Sequence, residues 1–177
     1  MYKVTNFLMF TIVTLFFSVS AKAQIVKLPK ALLFGNFTYT NPQGDFANSV
    51  NNGTGFEVGG GLGLGKTLLY ASTGYIKYSG NSDNLKVVPL KVGIRRYLLM
   101  GLFLNGAIGV ATQSYDNRSV TNSSFLYEVG AGIKLLGIIE LGAAYTGWQT
   151  QTLLIPSGTQ SKPANALLLK AGVAIKL

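Results

Sequence analysis

Along residues 125–135 two kinds of side chain alternate: Phe125, Tyr127, Val129, Ala131, Ile133 and Leu135 fall on one face, Glu128, Gly130, Gly132 and Lys134 on the other. A strand turns successive side chains to opposite faces, so this period predicts an extended segment with an apolar side and a polar, glycine-rich side. The last stretch repeats it, with Leu167, Leu169, Ala171, Val173, Ile175 and Leu177 set against Lys170, Gly172, Ala174 and Lys176. So does the stretch in which Val88, Leu90, Val92 and Ile94 alternate with Lys91, Gly93 and Arg95.

From residue 32 onward the chain divides into eight apolar stretches: 32–40, 54–64, 68–78, 85–98, 102–112, 125–135, 139–149 and 166–177. None shows a helical period. Their lengths suit a tilted strand crossing a hydrocarbon layer, which takes about 9 to 11 residues. The connections alternate. Gly65-Lys66-Thr67, Leu99-Met100-Gly101 and Leu136-Gly137-Ile138 read as three-residue links that keep Leu64 with Leu68, Leu98 with Leu102 and Leu135 with Ile139 on one face. The connections 41–53, 79–84, 113–124 and 150–165 are longer and rich in Asn, Ser, Thr, Gly and Asp.

Short turns on one rim and long polar loops on the other predict an all-β fold, an eight-stranded antiparallel up-and-down transmembrane β-barrel. The alternative is a soluble barrel with the same strand order. Polarity separates the two. Here the face carrying Glu and Lys is also the glycine-rich one, suited to a crowded lumen, while an apolar face on every strand would promote aggregation in water.

Composition adds the route. Lys3, the apolar run 7–19 and Ala21-Lys22-Ala23 before Gln24 read as a cleaved signal peptide over residues 1–23, leaving 24–177 as the barrel domain. The net charge of +9 raises nucleic acid as a partner, but the basic residues are scattered singly through apolar segments, so none is expected.

The runs Thr54 to Gly65 (TGFEVGGGLGLG), Val88 to Leu98 (VPLKVGIRRYL) and Gly130 to Lys134 (GAGIK) resemble the small outer-membrane β-barrel domain proteins common in Bacteroidota, eight-stranded barrels of the OmpX and OmpA kind. The resemblance spans nearly the whole mature chain and implies architecture rather than activity. It also implies outer-membrane lipid and lipopolysaccharide as surroundings and the barrel-insertion machinery as a partner, although Leu177 is not the aromatic residue on which such chains commonly end.

Candidate chemistry is sparse. The chain has no histidine and no cysteine, which excludes histidine-based hydrolysis, thiol nucleophiles and the usual zinc ligand sets. No catalytic residue, metal site or cofactor is expected. Asp45, Asp83 and Asp116 read as solvated loop acids rather than a calcium site. The glycine run 59–65 before Lys66 lacks the strand, loop and helix order of a phosphate loop, and reads as lumen packing and a turn.

The remaining charges suggest a lumen network of Glu57, Glu128, Glu140, Lys77, Lys91, Arg95, Lys134 and Lys170. In it Lys134 pairs with Glu140 across the short turn, Arg95 lies at a similar depth, and Glu57 and Glu128 meet Lys77, Lys91 and Lys170, with cations in excess. Tyr39, Phe56, Tyr78, Tyr127 and Tyr145 are placed at the headgroup level near the long loops and Tyr70 near the short turns; an aromatic sugar-binding platform would need exposed rings outside the bilayer, for which only Tyr115 and Trp148 loosely qualify.

The expected function is that of a non-enzymatic integral outer-membrane protein, structural or presenting its long extracellular loops to an unidentified surface ligand, with both termini periplasmic. A narrow channel for ions or small solutes is the alternative, disfavoured because side chains nearly fill eight strands. A lipid-modifying enzyme using a loop carboxylate is the most remote reading.

Overall fold

The computed structural model describes residues 29–80, 84–115, 118–154 and 158–177, the side chains of 118–122, 150–154 and 158–162 excepted. The proposed signal peptide, Asp83 and Asp116 lie outside the described residues. The chain forms β1 (Pro29–Gln43), a short 3-10 helix (Gly44–Asn48), β2 (Val50–Leu64), β3 (Thr67–Gly80), β4 (Leu85–Tyr97), β5 (Leu102–Tyr115), β6 (Arg118–Leu135), β7 (Ile139–Leu154) and β8 (Gly158–Lys176). Each strand pairs antiparallel with the next, and β1 pairs with β8 from Leu32 opposite Lys176 to Gln43 opposite Asn165, closing the barrel. Closure leaves no unpaired edge.

Polarity is inverted relative to a soluble barrel. Leu62, Leu69, Phe37, Val92, Phe125 and Leu169 are more than half exposed on the outside, whereas Glu128, Lys91 and Glu140 are at most 3% exposed inside. The alternation read from the sequence thus points its apolar face outward, as in a transmembrane barrel.

Two short turns follow the expected lengths. Met100 and Gly101, with φ of 57° and 80°, are the central pair of a turn closed by Leu102 N–H donating to the Leu99 carbonyl at 3.2 Å. Leu136 and Gly137, at 50° and 76°, do the same with Ile138 N–H donating to the Leu135 carbonyl at 3.1 Å. Positive φ at both central residues is the I′ arrangement, whose twist suits a hairpin. Leu98 and Leu102 both face outward, as do Leu135 and Ile139.

The first turn differs from the expectation. Leu64 pairs directly with Thr67, so the link is the two residues Gly65 and Lys66, not three. Leu64 is 64% exposed and Leu68 only 1%, so they lie on opposite faces. Because side chains alternate, one residue fewer in the turn reverses every assignment on β3. Tyr70 and Tyr78 therefore point into the barrel instead of lying in an outer aromatic belt, and Lys77 is exposed on the outside.

The long connections are also corrected. Strand pairing continues through most of 113–124 and 150–165, to Tyr115 opposite Arg118 and Leu154 opposite Gly158, so these segments are extensions of β-hairpins. In 41–53 the 3-10 helix Gly44–Asn48 turns back on the barrel and buries Phe46.

Candidate functional site

The barrel interior is built in layers. At its centre stand four charges, one from each alternate strand: Glu57 on β2, Lys91 on β4, Glu128 on β6 and Lys170 on β8. Alternate strands place side chains at matching depth, which is why these four converge. They form a closed ring. Lys91 Nζ lies 2.8 Å from Glu57 Oε1 and 2.7 Å from Glu128 Oε2. Lys170 Nζ lies 2.7 Å from Glu57 Oε2 and 2.6 Å from Glu128 Oε1. Each ammonium thus bridges both carboxylates, and every carboxylate oxygen accepts one charged hydrogen bond.

One layer nearer the short turns, Arg95 Nη1 donates to Glu140 Oε2 at 2.8 Å, and the Tyr97 hydroxyl donates to Glu140 Oε1 at 3.0 Å. The guanidinium sits over three rings, 4.6 Å from the centroid of Phe103, 4.8 Å from Phe34 and 5.6 Å from Tyr70. Charge and aromatic quadrupole both hold it away from water.

Above and below this charged zone the filling is apolar. Towards the short turns Leu32, Leu68, Tyr97, Phe103 and Ala174 pack with Phe34 and Tyr70. Towards the other rim Ile76, Tyr78, Val87, Leu126, Trp148 and Leu168 form a second cluster under Phe46. Phe46 meets Tyr78 at 5.3 Å and Trp148 at 5.4 Å, both nearly edge-to-face. Two cavities beside the charges are small, about 20 Å³ next to Asn36, Arg95 and Asn105, and about 10 Å³ next to Thr146 and Val87. Each is at the limit of a single water, which takes about 10 to 15 Å³.

Of the eight residues singled out in the sequence, six meet inside: Glu57, Lys91, Glu128 and Lys170 in the ring, Arg95 and Glu140 in the pair. Lys77 faces outward through the change at the first turn. Lys134 is directly opposite Glu140 in register, yet the groups that engage Glu140 come from β4, Arg95 and Tyr97. Lys134 is nearer the rim, among the cations facing Lys176, whose Nζ lies 4.0 Å from the Tyr97 ring centroid. The ring and the pair balance, three acids against three bases, and the further cations Lys134 and Lys176 of the inward register stand at the short-turn mouth.

Phe46 and Trp148 pack into the cluster at the loop rim, which the sequence did not reveal. Trp148, a loose candidate for an exposed ring outside the bilayer, is 4% exposed. The available signal was parity, since Trp148 shares the inward register of Glu140, Ala144 and Thr146 on β7.

No family model and no curated protein matches the chain. Solved structures do. Ail, the attachment invasion locus protein of Yersinia pestis, is similar with a TM-score of 0.54 at 14% identity, over 82% of this chain and 98% of that one. Neisserial surface protein A gives 0.55 at 13% identity, over 83% and 97%. The N-terminal β-barrel domain of Pseudomonas aeruginosa OprF gives 0.55 at 14% identity, over 82% and 97%. The shared property is the fold: a closed, eight-stranded antiparallel barrel of the outer-membrane type.

Proposed function

We propose that this chain is a non-enzymatic integral outer-membrane protein with a sealed interior, which stabilises the envelope or offers its long hairpins to a surface ligand. The observation that carries this is the ring of Glu57, Lys91, Glu128 and Lys170, whose ions satisfy one another in the lumen with an apolar cluster packed on either side. A conducting lumen needs hydrated groups along its length. Here desolvated charges are consumed by each other.

The short-turn rim, where Ala31 and Leu177 exchange backbone hydrogen bonds, is read as periplasmic, and the extended β5–β6 and β7–β8 hairpins as extracellular. Outer-membrane lipid, lipopolysaccharide and the insertion machinery are its proposed partners. The motif resemblance supports an origin among the small barrels of Bacteroidota.

Planar-bilayer recording on the purified, refolded protein tests the reading. A silent bilayer is expected. Steady, ion-selective steps from the unmutated protein would overturn the seal and favour the channel.

A further inference from the structure

The outer wall is not uniformly convex. Beside the short-turn rim, β1 to β5 form an apolar groove of about 1030 Å³. Its floor is lowest at Gly60 and Ala71, opposite each other on β2 and β3, and at Gly106 on β5, with Val92 and Ile94 of β4 standing between them. Its walls are Leu33, Leu62, Leu69 and Ile108, each more than half exposed. The groove ends at charge. Arg96 follows Ile94 by two residues on the same outward face of β4, about 7 Å further along at the usual rise of a strand. Lys66, exposed in the first turn, is tied beside it by Tyr97 N–H donating to the Lys66 carbonyl at 2.8 Å.

No described side-chain carboxylate competes for these cations. Every acidic residue within the strands, Glu57, Glu128 and Glu140, is buried in the lumen and paired there. Asp45 lies in the 3-10 helix at the opposite rim.

We propose that this groove holds one anionic glycerophospholipid of the leaflet at the short-turn rim, with an acyl chain over Gly60, Ala71 and Gly106 and the phosphate on Lys66 and Arg96. The inference rests on the membrane reading above. Apolar contact alone would make the groove indifferent to headgroup, and basic side chains alone would bind phosphate loosely and with strong salt dependence. Their adjacency gives a site that selects both ends of one molecule.

Native mass spectrometry of the detergent-purified barrel, exposed to phosphatidylglycerol or to phosphatidylcholine with the same acyl chains, reads the site. The wild type should retain one phosphatidylglycerol and little phosphatidylcholine. Gly106→Leu fills the groove; its new Cβ meets nothing within 4 Å, so the backbone there accepts a side chain, and with the folded gel band retained, retention of both lipids should fall. The pair Lys66→Gln and Arg96→Gln should lower the preference for phosphatidylglycerol by roughly thirtyfold. Ala143→Leu, outward on β7 away from the groove, should change nothing. Equal retention of the two lipids by the wild type would overturn the headgroup assignment. Unchanged retention in Gly106→Leu would overturn the groove. Heat-modifiable migration on gels and recovery in the membrane fraction are followed in parallel, so failure of the membrane reading is recognised by their loss in the wild type itself.

Discussion

Arg95 on β4 reaches across the lumen to Glu140 on β7, its Nη1 2.8 Å from Oε2, although the residue opposite Glu140 in strand register is Lys134. A pair between non-adjacent strands braces the barrel in a way that a neighbour pair cannot. Removing one partner of a buried pair leaves an uncompensated charge and costs about 3 to 5 kcal/mol, while replacing both by apolar groups is often neutral. Glu140→Leu should therefore lower the thermal midpoint of the folded gel band sharply. Adding Arg95→Met should restore most of it, and adding Lys134→Met should not. Recovery with Lys134→Met instead would reassign the partner.

The facing of β3 can be tested directly. Cysteines are introduced singly at Ile76, 7% exposed, and at Lys77, on the outer face. With a lipid-soluble maleimide, Lys77→Cys should react in the folded protein and Ile76→Cys only after boiling. The reverse order would return Lys77 to the lumen and restore a three-residue first turn.

That turn marks where the sequence ceased to be readable. The alternation of Phe125 to Leu135 determined the facing of β6, and the same logic on β2, β4 and β8 brought Glu57, Lys91, Glu128 and Lys170 together, because parity follows from strand geometry alone. On β3 the apolar pattern is ambiguous, since Leu68 and Leu69 are adjacent and equally apolar. Only the pairing of Leu64 with Thr67 chooses between them. Pairing across the lumen was hidden for a different reason. Register gives neighbours on adjacent strands, and Arg95 to Glu140 spans β4 to β7 through a barrel whose tilt a linear pattern does not state. Likewise the polar composition of 41–53 suggested a projecting loop, and nothing local signalled that Phe46 would anchor it over the mouth.

The I′ turns carry local strain that substitution should expose. Leu136 holds a φ of 50°, a region that costs an ordinary L-residue roughly 1 to 2 kcal/mol and that Asn tolerates better. Leu136→Asn should raise the urea midpoint by an amount equivalent to about 1 kcal/mol or less, and Gly137→Ala, at φ 76°, should lower it. An unchanged midpoint in both variants would show that this turn is not held in the I′ conformation in solution.

Trp148, the only tryptophan, reports on the cap. It sits beneath Phe46, 5.4 Å from its ring, and beside Tyr78 at 6.1 Å, in a cluster sealed from the rim by the 3-10 helix Gly44–Asn48. The folded protein should show blue-shifted emission that acrylamide quenches weakly. Phe46→Ala removes the ring that fills the mouth, at a cost towards the low end of the about 3 to 5 kcal/mol typical of buried phenylalanines, since the helix can resettle. Emission should shift to the red and quenching should rise. Conductance should nevertheless stay absent, because the ring of Lys91, Lys170, Glu57 and Glu128 lies deeper and does not depend on Phe46 for any of its hydrogen bonds. The two readouts separate two barriers: steady current through Phe46→Ala would make the cap the true gate, whereas exposed Trp148 in a silent barrel assigns the seal to the charged ring.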